Sequence, residues 1–274
     1  MNNIKITEQP SKYRHLEKMT VEELTAHINH EDQTVALAIE KALPALNKLI
    51  TTIAGKLKAG GRLFYLGAGS GGRLSVLDAI ELPTTFGVSP ELVQPILAGG
   101  VERLIEAPEE MEDDRDGGWK MLLERKVSDK DLVLGITASG STPFVVEGLR
   151  QCRAHGITTG CLTNNPGTEV AAQADLPVEV ITGPEFLSGS TRMKSGTAQK
   201  MIFDMISTTV MIQLGRVLDN RMVHVKLIND KITDRAVKIL MEQSGLDNYD
   251  EAKVLLLRHG SVKAALDHIE TTGK

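Results

Sequence analysis

The 274-residue chain is 41% hydrophobic, enough for a sizeable core, yet only 3% aromatic, so aliphatic side chains and methionine must fill that core. A net charge of −5 argues against general nucleic-acid binding, which needs clustered Lys and Arg, but leaves room for a local cationic pocket. Two cysteines, Cys152 and Cys161, form no metal or redox motif; with no apolar signal-peptide region and no run near the ~20 apolar residues of a membrane span, the chain is expected to be soluble and cytoplasmic.

Residues 1–20 are polar and are expected to lie extended over a surface. Thr20, with Glu23 three residues on, is a capping box that opens a helix. Val35, Ile39, Ala42, Leu46, Leu49 and Ile50 carry helical spacing onward until Gly60-Gly61 stops it. Short apolar runs then alternate with amphipathic segments. The strand candidates are Arg62–Leu66, Leu92–Leu97, Leu132–Thr137, Thr158–Leu162 and Pro177–Val180. Helices are expected near Gly72–Ile80, Asp114–Arg125, Pro143–His155 and Thr168–Ala174. This order predicts an α/β fold, a three-layer α-β-α sandwich around a parallel sheet. A long helix over 191–218 has a wide apolar stripe, which implies burial on more than one side and a homodimer. Three short helices near 230–243, 248–258 and 261–270 follow, punctuated by Gly245 and Gly260. The expected division is a helical arm (1–58), a central domain (59–225) and a small helical tail (226–274).

Gly67, Gly69 and Gly72 form a G-x-G-x-x-G match between the first strand and its helix. Such a loop lets backbone approach an anion at a helix N-terminus. A dinucleotide site would also need an acidic residue at the tip of the second strand. That strand ends "PILAGG" and carries none. The third strand ends "GITASGSTPF", so Ser139, Ser141 and Thr142 with Gly140 make a second anion nest before a Pro-started helix. Two such loops at neighbouring strands favour a phosphorylated sugar over a nucleotide.

The loop pair resembles the sugar isomerase (SIS) fold, and the chain is similar over nearly its whole length to the N-acetylmuramic acid 6-phosphate etherase family. The segments that carry the likeness include "GRLFYLGAGSGGRLSVLDAIELPTTFG", "GITASGSTPFV" and "GSTRMKSGTAQK". The resemblance implies cleavage of the lactyl ether of N-acetylmuramic acid 6-phosphate, giving N-acetylglucosamine 6-phosphate and D-lactate. It implies Glu81 as proton donor and Glu112 as base, with Glu109 and Glu110 as competitors in the same acidic run. Glu81 is expected after the first helix, reaching a cleft if the chain turns back at Pro83. Substrate contacts are implied for Gly69, Ser70, Gly71, Arg73, Ser139, Gly140, Ser141, Thr142, Ser190 and Lys194. Asn29, Glu31 and Asp32 match a family segment and are candidates to line the cleft. The chain departs from the family at Gly71, where a hydroxyl is usual, and at Ser141, where an Arg is common. No cofactor or metal is needed by such an elimination, and neither a nucleic-acid nor a membrane partner is expected. The alternatives are a phosphosugar-binding regulator resembling the glucokinase regulatory protein, or a phosphosugar isomerase.

Overall fold

A computed structural model describes residues 5–106 and 108–272; the ends of the expected arm and tail lie outside the described residues. Helix α1 (Val21–Lys58) leads into β1 (Leu63–Gly67), α2 (Gly69–Phe86), β2 (Val93–Leu97), α3 (Gly117–Glu124) and β3 (Leu132–Ile136). Then come α4 (Pro143–Ala154), β4 (Thr158–Thr163), α5 (Glu169–Ala172), β5 (Leu176–Glu179) and α6 (Lys194–Gln213). The five strands form one parallel sheet in the order β2-β1-β3-β4-β5. Leu63 of β1 stands opposite Val93 on one side and Leu132 on the other.

Alternation along each strand sends its side chains to two faces. Phe64, Leu66 and Val133 pack with Leu122 of α3, with Phe144, Val145 and Leu149 of α4, and with Val170 of α5. On the opposite face Tyr65 meets Phe203 of α6, ring centroids 5.3 Å apart. A Cβ on Gly160 of β4 would come within 2.7 Å of Leu49 of α1, so this strand and helix touch because the glycine has no side chain. The sheet is thus flanked by helices on both faces, the sandwich that the strand-helix order implies.

The capping box opens α1: Thr20 Oγ1 accepts from the Glu23 N–H at 3.2 Å, and Glu23 Oε2 accepts from the Thr20 N–H at 2.8 Å. Pro44 lies inside this helix. Burial of Ala42, Leu46, Leu49 and Ile53 around it offsets the lost hydrogen bond and the crowding of its ring.

Two expectations change. The N-terminal segment is not simply extended, since it forms 3-10 turns at Ile6–Glu8 and Leu16–Lys18. Thr7 in the first of these turns is fully buried. The second change is in α2, which begins at Gly69 and runs through Pro83 to Phe86. Glu81 therefore sits within a helix and not on a returning turn. A proline this close to the helix end removes one N–H bond without severing later turns. The Thr84 hydroxyl also donates to the Glu81 carbonyl at 3.0 Å, holding the last turn together.

The chain forms two compact units. One contains the residues up to Ala79 together with Glu91–Ile206; the other joins Ile80–Pro90 to the residues from Ser207 onward. The second unit has a short hairpin, β6 (Val217–Leu218) and β7 (Arg221–Met222), which the sequence reading lacks, and helices α7 (Asp230–Ser244), α8 (Tyr249–His259) and α9 (Val262–Thr272). Its own core includes Val223, Val237, Leu240, Leu256, Val262 and Ala265. Gly245 and Gly260 end α7 and α8 at φ 74° and 75°, a left-handed backbone that glycine adopts without strain.

In the first unit, a buried ion pair ties α1 to α6: Lys194 Nζ lies 2.6 Å from Glu31 Oε2, and both side chains are almost fully enclosed. Burial alone would raise the Glu31 carboxyl, but the ammonium groups of Lys194 and then Lys12 outweigh it and hold the group below its ordinary value. Glu31→Gln strands the buried lysine charge, so we expect a loss of about 3–5 kcal/mol in unfolding experiments at neutral pH. Adding Lys194→Met should recover much of that loss. Because the folded carboxyl titrates lower than the unfolded one, the wild-type advantage is present above the ordinary glutamate range. It should fade as pH falls through the lowered value.

Candidate active site

The strand order reverses between β1 and β3: the chain steps one way from β1 to β2 and the other way to β3, β4 and β5. Parallel sheets bind ligands in the crevice that opens at the carboxyl ends of such strands. There the turn after β1 is very tight. A Cβ on Gly67 would lie 2.7 Å from the Gly72 Cα, and one on Gly72 would lie 2.8 Å from the Gly67 carbonyl carbon. Gly69 has φ 57°, and a Cβ there would meet Glu112 Oε1 at 2.9 Å. Gly71 is closed in too, 2.6 Å from Gln199 Oε1 and 2.8 Å from Ile136 Cγ2 by the same measure. A side chain at position 71 would require Gln199 and Ile136 to move.

Glu112 lies in the 3-10 turn Glu109–Asp113 and is half-buried. It shares a small cavity with Gly69, Arg73, Leu97 and Pro108. Its carboxyl is pushed above the ordinary glutamate value, first by burial and next by the nearby Glu109 charge; the Arg73 guanidinium opposes this, and Asp113 adds to it. A carboxyl raised in this way is a stronger proton acceptor once ionised. Of the acidic run, Glu112 is the member that the first loop is built against, while Glu109 and Glu110 are exposed.

Beside this loop, across the β1–β3 pairing of Gly67 with Ile136, lies the turn 137–142. Thr137 Oγ1 is 2.8 Å from Thr142 Oγ1 and 3.2 Å from Ser139 Oγ. Ser139 Oγ is 3.5 Å from Ser141 Oγ. Gly140 turns the chain with φ 74°, and a Cβ there would lie 2.3 Å from Thr168 Cγ2. Thr142 stands at the N-terminus of α4 with Pro143 next, and its side chain makes no capping bond. Hydroxyls and the positive end of a 12-residue helix converge on one spot, a setting suited to an anion.

The expected residues do not all gather here. Ser70 and Arg73 are on the first turns of α2, half-exposed, and Arg73 faces Glu112. Glu81 is exposed and falls in the second compact unit, while Glu112 and both loops belong to the first. Ser190 is half-exposed in the turn before α6, its N–H bonded to the Leu187 carbonyl at 2.9 Å. Lys194, expected as a substrate contact, is enclosed and paired with Glu31, its Nζ 2.6 Å from Glu31 Oε2. An ammonium this deeply enclosed needs a counter-charge within the protein.

Sequence reading missed several residues of the site. Thr137 is buried just after β3, and its hydroxyl bonds those of Ser139 and Thr142. A third turn, "NNPGT" after β4, supplies Asn165 and Thr168; its Asn, Pro and Gly are the kind of signal that singled out the first two turns. Lys5 had no local signal at all. Its Nζ contacts Ser141 Oγ. Lys5, Gln9, Ser141, Asn165 and Thr168 line a cavity of about 760 Å³.

Comparison with known proteins bears on the family of the chain. A SIS domain model matches residues 112–208, and a model of the glucokinase regulatory protein N-terminal SIS domain matches residues 45–153. The N-acetylmuramic acid 6-phosphate etherase of Bacteroides fragilis is 54% identical over 96% of this chain and 94% of that protein. That of Porphyromonas gingivalis is 50% identical over 97% of each. The chain belongs to the N-acetylmuramic acid 6-phosphate etherase family. Among solved structures, a phosphoheptose isomerase from Francisella tularensis aligns with this etherase-family chain at a TM-score of 0.53 and 17% identity, covering 73% of this chain and 100% of that one. One from Neisseria gonorrhoeae gives 0.53 at 15% identity, covering 69% and 97%. At those identities the likeness concerns the fold.

Glu112 also makes a pH-dependent prediction. Its folded carboxyl titrates above the unfolded one, so the folded state binds the extra proton and stability falls as pH rises through that window. Glu112→Gln should therefore raise the melting temperature at pH 7.5 and change it little at pH 4. Melting curves at the two pH values check this, and an equal shift at both would contradict it.

Proposed function

We propose that the protein cleaves the lactyl ether of N-acetylmuramic acid 6-phosphate, yielding N-acetylglucosamine 6-phosphate and D-lactate in the recycling of cell-wall amino sugars. The reading rests on relatives of that name at 50–54% identity over almost the full chain. The observation that carries it locally is the half-buried Glu112 carboxyl, held against Gly69 beside a hydroxyl-lined turn.

An ether oxygen is a poor leaving group, so direct displacement by water is slow. In the open-chain aldehyde, the C1 carbonyl acidifies the proton at C2. Glu112 takes that proton, the C3–O bond breaks, and Glu81 protonates the departing lactate oxygen. Water then adds at C3 of the unsaturated aldehyde, and C2 regains a proton. Two groups that move protons at neighbouring atoms are what this scheme requires. The phosphate is assigned to the Ser139–Thr142 turn and the N-terminus of α4. Gly69, Ser70 and Gly71 offer backbone on the neighbouring side, and Arg73 offers charge near the reacting carbons.

A general acid works best shielded from bulk water, and Glu81 is exposed in the single chain. We assign its cover to a second copy, in a cytoplasmic homodimer. The arm to residue 58, the domain 59–225 and the tail from 226 are read as parts of that one enzyme.

Incubation with N-acetylmuramic acid 6-phosphate and assay of D-lactate tests the reading. Wild-type protein should release lactate. Glu81→Gln should abolish release while C2 hydrogen still exchanges in heavy water, and Glu112→Gln should abolish both. Lactate release at the wild-type rate from Glu81→Gln would remove the acid role. Sugar-phosphate binding with no release from the wild type would leave a binding protein in place of an enzyme.

A further inference from the structure

The segment from Lys5 to Tyr13 is fastened to the turns at the carboxyl end of the sheet. Thr7 is fully buried, and its partner Asn165 is nearly so. The Thr7 N–H donates to Asn165 Oδ1 at 3.3 Å, and Asn165 Nδ2 donates back to Thr7 Oγ1 at 3.0 Å. The same Nδ2 donates to the Ala138 carbonyl at 2.9 Å, directly before Ser139. One amide thus locks the strap and the hydroxyl turn to each other. Further along, the Ser11 N–H donates to Ser188 Oγ at 2.8 Å, and Tyr13 and Lys12 reach Glu31.

This fastening brings Lys5 over the turn, with its Nζ on Ser141 Oγ. Among the described residues no carboxylate pairs with it; Glu169 lines the same cavity but forms no ion pair there. The surroundings offer Lys5 hydroxyls, which donate as readily as they accept. Lys5 therefore lines one cavity with Gly140 and Ser141 of the hydroxyl turn and with Thr168, and Ser139 and Thr142, which lead into α4, belong to the same turn. Ammonium, hydroxyl and helix N-terminus each favour a multiply charged anion, and a tetrahedral phosphate accepts from several such donors at once.

The geometry points to Lys5 as a phosphate-binding residue, carried into the substrate pocket by an N-terminal strap that Thr7 and Asn165 latch in place. The inference rests on the phosphosugar reading above and names the charge that reading lacked, since Lys194 is committed to Glu31. The strap is one wall of the pocket, and the cation arrives from a segment remote in sequence from both glycine turns.

Calorimetric titration with N-acetylglucosamine 6-phosphate and with inorganic phosphate tests it, because neither carries a lactyl carboxylate. Lys5→Met should weaken both by about ten- to a hundredfold, the loss of one charge-assisted contact. Lys5→Arg should stay within about threefold of wild type, and the melting temperature without ligand should hardly move. In the lactate assay Lys5→Met should raise KM far more than it lowers kcat. Unchanged affinity in Lys5→Met would overturn the assignment. So would weakened binding of N-acetylmuramic acid 6-phosphate alone, which would place Lys5 at the lactyl carboxylate. Wild-type protein that binds the product but releases no lactate would remove the etherase reading and leave Lys5 standing. Normal release with no Lys5 effect on binding would do the reverse.

Discussion

The turn from β1 into α2 has no room for side chains at Gly67, Gly69 and Gly72, and the site is built on that closeness. Gly67 and Gly72 touch backbone to backbone, and Gly69 needs both a left-handed conformation and the absence of a Cβ. That closeness starts α2 directly after the strand, and a helix N-terminus at a strand end favours an anion. The same closeness lets the Glu112 carboxyl come down onto the loop. There it loses water and feels Arg73 on one side and Glu109 on the other. The residue's chemistry is thus a consequence of where glycine allows backbone to go.

Around this turn, buried polar groups do the positioning. Glu185 accepts from the Lys194 and Ser195 N–H groups at 2.8 and 3.0 Å and from the Ser195 hydroxyl at 2.7 Å. It places a carboxylate at the positive end of α6. Lys194, the first residue of that helix, turns to Glu31 in α1. Asn165 joins the N-terminal strap to the β3 turn. Each of these groups is enclosed, so each has a strict need for its partner, and together they specify one arrangement of arm, turns and helix. Gln199 is the exception: its Nε2 reaches Asn164 Oδ1 at 3.2 Å, while its Oε1 faces Gly71 without a partner among the described residues.

Environment separates the two carboxylates in the proposed chemistry. Glu112 is half-buried among charges; Glu81 is exposed on the last turns of a helix. Enzymes commonly divide acid and base work between like groups in unlike surroundings.

Much of the fold was legible because it follows from local rules. Alternating apolar runs located all five strands of the large sheet to within a residue or two, and the capping box at Thr20 and the glycines at 245 and 260 marked helix ends that backbone geometry obeys. The two glycine- and hydroxyl-rich turns declared themselves by composition, since only such residues permit close backbone approach. Pro83 misled because a proline near a helix end costs too little to stop it. Tertiary structure alone decided that Lys194 would be spent on Glu31, that Thr137 would join the hydroxyl turn, and that Lys5 would lie against Ser141 far along the chain. Those pairings depend on burial, which makes a charge seek whichever partner folding brings near, and no spacing in the sequence encodes that choice.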